Sequence, residues 1–506
     1  MSTSSLKNRA LNGVFWSAID RFSSQGISFL ISIVIARLLT PHDYGLVAMV
    51  GIFISIAQAF IDSGLSSAIV RKKDRTTVDL STAFYANIII GVLCYAILYL
   101  AAPYIARFYQ EDELCSIVRI MGIIFFLFSF SNIQQAVLSI NIDFKTKAKI
   151  SLLSVIVSGT LGIISAYSGL GVWALVIQQT VYALLRTILL WIFVNWRPIG
   201  IFSWKAFCSL FSFGSKMLLT GLLNSIFNNL YSIVIGKTFS ASSLGYYSRA
   251  EQFAQFPSSN MTNIVKGVTF PTMALIQDEK ERLKANFYKI HRVMTFIIFP
   301  LIVGLASVAS PLILLLLSKK WIYSAKLLQI ICLALMWYPV YTQNLNFLEV
   351  KGYGGYILKS ETISKIVSMT VLVILIPMGL EAICWGQMLS NIISVFVSSY
   401  FVTKITRDSY AKLFAPISMN LFSSLMMGII CSLAQKLFVL PAIQLVVGIL
   451  VGGMVYLILN YCFNRSFLMT FYNPLAELNK RIFKSANRFV VNVVYILKDC
   501  KCTYFP

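Results

Sequence analysis

The sequence predicts an all-α integral membrane protein with about 14 transmembrane helices, arranged as two pseudo-symmetric six-helix lobes plus two C-terminal helices. Of its 506 residues, 58% are hydrophobic and only 12% are charged, whereas soluble domains carry about 25% charged residues. The apolar segments run for about 20 residues, enough to cross a bilayer as a helix, and they lack the alternation of barrel strands. A repeat at an offset of 200 residues indicates two related halves.

Polar or Gly/Pro clusters interrupt the hydropathy and mark the limits of fourteen predicted spans. The eighth is the least apolar, because it holds Arg249, Glu251 and Lys266, and twelve spans remain if it and one other do not cross. We expect an N-lobe over 1–200, a C-lobe over 201–405, two additional helices over 406–464 and a basic amphipathic tail over 465–506. The predicted spans lie near 13–38, 44–66, 79–103, 115–140, 148–168, 171–195, 209–236, 245–272, 292–317, 325–347, 356–378, 381–404, 413–436 and 440–463.

The net charge of +23 is explained by membrane topology rather than by binding of nucleic acid, because cytoplasmic loops collect Lys and Arg. With the N-terminus in the cytoplasm, 28 basic residues of the connections and tail fall inside and seven fall outside. This asymmetry predicts a multi-pass protein with both termini cytoplasmic. The first apolar stretch carries Asp20 and Arg21 and does not read as a cleavable signal peptide.

The internal repeat is visible in both its apolar and its polar residues. The run 32–37 (SIVIAR) reappears as 232–237 (SIVIGK), and Gly45 corresponds to Gly245. Polar residues recur about every four positions on the first, second, seventh and eighth spans, which places them along one face of each helix. The residues predicted to line a cavity from these faces are Ser24, Ser28, Gln58, Asn224, Asn228 and Gln255.

A polar stripe in hydrocarbon must either pack against other helices or face water. Hydrogen bonding between helices is the simpler interpretation for any one serine. Stripes repeated on two helices of each half favour a hydrated central cavity, which is the usual construction of a transporter with alternating access.

Basic residues outnumber acidic ones within the spans, so the sequence predicts an anionic ligand, since each charge at mid-depth costs at least about 2.5 kcal/mol. Arginine suits phosphate because its donors bind two oxygens. For Arg119, Arg186 and Arg249, the alternative is a long side chain that reaches the interface. Asp62 and Glu361 are candidates for coupling to a proton or sodium gradient, or structural partners of cations. The predicted substrate-binding cations are Arg21, Lys216, Arg249, Lys266 and Lys365.

The segment 35–41 (IARLLTP), followed by Tyr44-Gly45-Leu46, and the segment 169–175 (GLGVWAL) resemble the polysaccharide-unit flippases of the multidrug/oligosaccharidyl-lipid/polysaccharide exporter superfamily. The resemblance implies transfer of an undecaprenyl-pyrophosphate-linked oligosaccharide from the cytoplasmic to the periplasmic leaflet of a bacterial inner membrane. It also implies contact with membrane lipids and with other polysaccharide-assembly membrane proteins. Arg21 is the one residue carried over from the family's cavity cations. The seventh span has asparagines but no carboxylate, which puts a sodium site there in doubt.

Two alternatives remain open from the sequence. A multidrug exporter of the same superfamily would share the architecture, although its cavity is expected to be acidic rather than basic. A polytopic enzyme acting on lipid-linked glycans would need acid/base residues or a large loop, yet His42 and His291 are far apart and the external connections are short. No catalytic residue, cofactor or metal site is predicted.

Overall fold

The computed structural model describes residue 16 and residues 23–62, 65–72 and 74–463, and in these ranges every regular element is helical. The predicted tail 465–506 lies outside the described residues. The first half contains α1 to α8: Ser23–Leu38, Pro41–Asp62, Leu65–Arg71, Thr77–Tyr109, Glu113–Met121, Ile123–Ile140, Phe144–Tyr167 and Trp173–Phe193. The second half contains α9 to α19: Trp204–Asn228, Leu230–Thr238, Ala241–Leu275, Lys280–Ser307, Ala309–Leu316, Ile322–Leu335, Tyr338–Val350, Gly354–Leu375, Leu380–Thr406, Tyr410–Gln435 and Pro441–Phe463.

The predicted all-α membrane class is confirmed, whereas the count of 14 spans is not. Over the described residues, 11 helical stretches are long and apolar enough to cross a bilayer, and α9 makes a twelfth if its two parts, bent by 51°, count as one span. The described part of the first predicted span, α1, is too short to be counted. The eighth predicted span forms one continuous helix, α11, which is not among the apolar stretches, in keeping with its three charged residues.

The sequence repeat is also visible in the structure, because helices begin and end at corresponding positions in the two copies. Helix α1 ends at Leu38 and α10 at Thr238, and α2 and α11 begin at Pro41 and Ala241, again 200 residues apart. The hydroxyl of Thr40 accepts a hydrogen bond from the amide of Asp43, and the hydroxyl of Ser240 accepts one from the amide of Ser243. A hydroxyl that accepts from the amide three residues ahead is an N-cap, so both copies start their next helix by the same means.

The chain divides into two compact units by its internal contacts. Unit 1 contains residues 1–256, 309–335 and 358–394, and unit 2 contains residues 257–308, 336–357 and 395–506. This division cuts across the lobes expected from the sequence, because it follows contact density rather than chain order. The predicted lobe limits therefore stay predictions.

Within unit 1, the two copies of the repeat meet in a cap cluster formed by Arg37, Gly45, Lys237, Gly245 and Trp321. A Cβ on Gly45 would overlap the carbonyl of Ala241, and one on Gly245 would overlap the carbonyl of Pro41. Arg37 donates to the carbonyls of Leu315 and Leu316 at the end of α13. Lys237 donates to the carbonyl of Phe108 at the end of α4. The topology predicted from the basic residues places the four connections joined here on the periplasmic side.

Unit 2 has an apolar core with two polar groups of residues near it. The core includes Phe287 and Phe347, which belong to a buried cluster on α12 and α15. Beside it, the buried His291 bonds to Asn344 at 3.1 Å, and Asn344 donates to Ser398 and Ser399 at 3.0 Å each. These bonds pair the Asn344 amide in the interior, while the Nδ1 atom of His291 is buried with no hydrogen-bond partner among the described residues.

Asp408, in the connection between α17 and α18, forms the second polar group of unit 2. Its carboxylate lies 2.6 Å from the ammonium group of Lys284 and 3.0 Å from that of Lys412, and it accepts from the Tyr288 hydroxyl at 2.7 Å. Burial by itself would raise the pKa of Asp408, but hydrogen bonds from Lys284, Tyr288 and Lys412 lower the pKa to about 2. The carboxylate is therefore ionised and fully engaged, and we call these four side chains the Asp408 cluster.

Candidate functional site

Four of the six polar residues predicted to line a cavity are exposed rather than packed. They lie on α1, α9 and α11 of unit 1, and they are Ser28, Asn224, Asn228 and Gln255. Since a polar side chain in contact with hydrocarbon is costly, their exposure favours a watery surface over a lipid-facing one. Of the other two, Ser24 forms a 3.1 Å hydrogen bond with Ser151, and the Oε1 atom of Gln58 is buried with no hydrogen-bond partner among the described residues.

Lys365 and Asn224 are brought together although 141 residues separate them. The Lys365 ammonium group donates to the Asn224 side-chain oxygen at 3.3 Å and lies 4.9 Å from the centre of the Phe227 ring. Counting 11 residues at about 1.5 Å each from the start of α16 puts Lys365 about 16 Å along that helix, close to mid-depth. No ion pair between Lys365 and a carboxylate occurs among the described residues, so its charge is available to an anion.

Arg249 lies against the aromatic ring of Tyr44, at the point where α11 meets α2. Its guanidinium carbon is 3.8 Å from the centre of that ring, a distance at which the ring face attracts the cation. The Nε and Nη1 atoms of Arg249 are buried, and neither has a hydrogen-bond partner in the described part of the chain. Unmet buried donors are uncommon and call for an explanation, such as a ligand or a second conformation.

The remaining predicted charges are placed differently. In unit 2, Lys266 forms a 3.4 Å ion pair with Glu349, and both side chains are about half exposed. Glu361 is half-buried on α16, four residues before Lys365, a spacing that lets the two side chains meet on one face of the helix. Arg21 and the side chains of Lys216 and Asp62 lie outside the described residues.

Sequence reasoning missed a pocket at the predicted cytoplasmic end of α6, α7 and α8 in unit 1. The cavity has a volume of about 90 Å³. From the sequence, Arg186 was interpreted as a side chain able to reach the interface. Three polar residues near span ends could have singled it out: Gln135, Lys147 and Ser151. The pocket is lined by Gln135, Lys147, Ile150, Ser151, Arg186 and Leu190.

These arrangements are suited to holding an anion rather than to bond chemistry. The two groups around Lys365 and Arg186 present cationic donors beside neutral acceptors. Over the described ranges, no three His, Cys, Asp or Glu side chains are grouped so as to hold a metal ion.

The chain is similar to known proteins in both sequence and structure. The profile of a family described as "Polysaccharide biosynthesis protein" matches residues 34–326. Teichuronic acid biosynthesis protein TuaB of Bacillus subtilis is 25% identical over 462 residues, which is 90% of this chain and 96% of TuaB. Succinoglycan biosynthesis transport protein ExoT of Rhizobium meliloti is 25% identical over 464 residues, which is 90% of this chain and 93% of ExoT.

Among solved structures, the lipid II flippase MurJ in an inward closed conformation aligns with a TM-score of 0.74. The alignment covers 90% of this chain and 100% of MurJ at 16% sequence identity. At that identity the match shows the fold alone. It confirms the predicted fold class.

Proposed function

Because the chain belongs to the family of polysaccharide biosynthesis proteins, we propose that it is a flippase for lipid-linked oligosaccharides. It transfers undecaprenyl-pyrophosphate-linked repeat units, of an O-antigen, a capsule or an exopolysaccharide, from the cytoplasmic to the periplasmic leaflet by alternating access. The names of ExoT, a transport protein, and of MurJ, a lipid II flippase, support transport rather than an enzymatic step. Its place is a bacterial inner membrane, which it crosses many times.

The observation that carries the proposal is the environment of Lys365. A charged lysine at mid-depth destabilises the protein by at least about 2.5 kcal/mol. A lysine kept at that depth therefore indicates a function for its charge. Lys365 is held by the neutral Asn224 and the ring of Phe227, neither of which neutralises that charge. An anionic substrate passing through the protein would do so, and a pyrophosphate supplies the charge. A multidrug exporter for cationic compounds would be opposed by the same lysine.

The other predicted residues have distinct roles in this proposal. Arg249 supplies unmet donors for the substrate phosphates, and the exposed asparagines and Gln255 provide the polar surface. Arg21 and Lys216 complete the set of cations, while Lys266 contributes when it separates from Glu349. Both termini face the cytoplasm, as the distribution of basic residues indicates.

No cofactor takes part in this function, and an ion gradient supplies the energy. Glu361 is the coupling residue that the structure supports best, because protonation of its carboxyl group would change the charge one turn away from Lys365. Asp62 is the second candidate. Membrane lipids and other polysaccharide-assembly membrane proteins are the expected partners.

The test is the leaflet sidedness of labelled lipid-linked oligosaccharide in cells with and without the protein. We expect the labelled lipid to accumulate on the cytoplasmic side in its absence and to cross again on re-expression. Lys365→Gln should lower flipping about ten-fold, the effect of losing one charged hydrogen bond, and Lys365→Arg should retain most of it. Lys359→Gln removes the same charge from an exposed position on α16 and should leave flipping unchanged. Normal sidedness without the protein would contradict the proposal.

A further inference from the structure

The pocket around Arg186 is a separate polar site within the first half of the chain. Its lining residues come from three helices: Gln135 from α6, Lys147 and Ser151 from α7, and Arg186 from α8. Its volume of about 90 Å³ exceeds the space of about 15 Å³ that one water molecule occupies by the same kind of measure. There is room for a group of several heavy atoms, such as a phosphate.

Arg186 is oriented by neutral partners. One of its terminal nitrogens donates to the Gln135 side-chain oxygen at 2.6 Å. Its guanidinium carbon lies 5.6 Å from the centre of the Phe128 ring and 6.0 Å from that of Tyr182. These contacts fix the plane of the guanidinium group without neutralising its charge. Among the described residues, no carboxylate forms an ion pair with Arg186.

The other polar groups of the pocket add to its affinity for an anion. Lys147 brings a second positive charge, and the Ser151 hydroxyl, which also contacts Ser24 on α1, can donate to an oxygen. The acidic residue next in the chain, Asp143, uses its two oxygens to accept from the amide and the hydroxyl of Thr146. Asp143 thereby caps the start of α7, and neither of these bonds involves Arg186.

The pocket lies near the predicted cytoplasmic ends of its helices, the side from which a substrate would enter. Arg186 lies seven residues before the end of α8, about 10 Å from that end, and Lys147 lies in the first turn of α7. Both helix ends are cytoplasmic in the predicted topology. An Arg that merely reached the interface with its long side chain would extend toward the headgroups, whereas this one bonds across to α6.

We propose that this pocket binds a phosphate group of the lipid-linked substrate as the substrate enters from the cytoplasmic leaflet, an inference that rests on the proposed function. The Arg186 guanidinium presents two parallel donors to two phosphate oxygens, an arrangement for which arginine is suited and lysine is not. Lys147 contributes a point charge and Ser151 a hydroxyl donor. The pocket is a loading subsite, distinct from the group around Lys365 near mid-depth.

Two molecules carry a phosphate group at this depth: the substrate, through its pyrophosphate, and an anionic phospholipid, through its headgroup. The experiment uses the full chain in phosphatidylcholine nanodiscs and measures binding of undecaprenyl pyrophosphate. A second arm measures retention of phosphatidylglycerol by the same preparations. Arg186→Gln, Arg186→Lys and Lys147→Gln are compared with Lys149→Gln, which removes the same charge from an exposed position on α7.

We expect Arg186→Gln to weaken undecaprenyl pyrophosphate binding at least ten-fold and Lys147→Gln to weaken it several-fold. Arg186→Lys should be intermediate, because it keeps the charge and loses the paired donors. Lys149→Gln should stay within two-fold of the unmodified protein. The melting temperatures of all four variants should agree with that of the unmodified protein, which separates loss of a ligand contact from loss of structure.

Unchanged undecaprenyl pyrophosphate binding in both Arg186→Gln and Lys147→Gln would overturn the inference. Loss of phosphatidylglycerol retention alone would also overturn it, because the pocket would then hold a structural lipid. Either result leaves the proposed function standing if the unmodified protein still flips its substrate. Failure of the unmodified protein to flip, with binding at Arg186 intact, would instead refute the proposed function.

Discussion

The Arg186 pocket and the Asp408 cluster both place basic side chains near the predicted cytoplasmic face, yet they treat the charge in opposite ways. Arg186 faces the neutral amide of Gln135 beside an open cavity. Lys284 meets the Asp408 carboxylate at 2.6 Å, and that carboxylate also engages Tyr288 and Lys412. A cation that the fold neutralises stabilises the structure, whereas one left with neutral partners is available to a ligand.

This comparison gives a criterion that distinguishes a structural cation from one available to a ligand, which residue type alone does not do. Both sites are polar and basic. Only the presence of a carboxylate separates a structural cluster from a candidate binding site. By the same criterion, Lys365 beside Asn224 belongs with Arg186, whereas Lys266 becomes available to a ligand only when it separates from Glu349.

The sharpest test of the comparison is Asp408→Asn. Removing this carboxylate leaves the half-buried Lys284 without its counter-charge and breaks hydrogen bonds to a charged group, so we expect the free energy of unfolding to fall by about 2 kcal/mol. The measurement is unfolding in mixed micelles with increasing sodium dodecyl sulfate. Glu279→Gln breaks the exposed ion pair with Arg282 and should cost less than about 1 kcal/mol. Equal effects in the two variants would show that the Asp408 cluster is not the structural site assigned here.

Substitutions in the cap cluster test whether the two copies of the repeat pack in the same way. In Gly45→Ala the new methyl group would overlap the backbone of Ala241, and we expect a loss of about 2 kcal/mol from overpacking. Gly245→Ala should behave alike, because its methyl group would overlap Pro41. Gly51→Ala, on the same helix with nothing within 4 Å, should be neutral or slightly stabilising. A Gly45→Ala protein as stable as Gly51→Ala would refute this close packing.

Acid should weaken the Asp408 cluster before it affects the Arg186 pocket. The folded-state pKa of Asp408, about 2, lies below the unfolded value of about 3.9. The stabilisation from its ionised carboxylate is therefore complete above a pH of about 4 and is lost as the pH falls toward 2. The difference in stability between the unmodified protein and Asp408→Asn should shrink over that range. A difference that stays constant down to a pH of about 2 would contradict the assigned ion pairs.

The smallest expected effects concern Arg37 and Lys237. Each donates to carbonyls at the C-terminal end of a helix from the other half, where a positive charge is favoured by about 1 kcal/mol or less. Arg37→Gln and Lys237→Gln should therefore lower the melting temperature slightly and to a similar degree. Lys319→Gln, an exposed lysine in the same region, should have no effect. A large loss in only one of the two variants would show that the copies are not equivalent here.

Much of the architecture could be predicted from the sequence because it depends on local properties. Hydropathy located the helices, and the match between 32–37 and 232–237 anticipated helix breaks 200 residues apart, since Thr40 and Ser240 cap the helices that follow them. The predicted count of fourteen spans is not confirmed by the described residues. The polar residues of α11 make that helix too hydrophilic to be counted by composition, although the chain there is one continuous helix.

The sequence by itself determined the membrane class, the repeat and the excess of basic residues within the spans. Only the tertiary structure decided which of those residues are neutralised. Lys365 meets Asn224 across 141 residues, Arg186 meets Gln135 across 51, and Lys284 meets Asp408 across more than a hundred. Such pairings follow from how helices pack and rotate against one another, and hydropathy carries no information about rotation between distant segments. For that reason the sequence presents Arg186 as one more basic residue, and only the fold makes it a candidate binding residue.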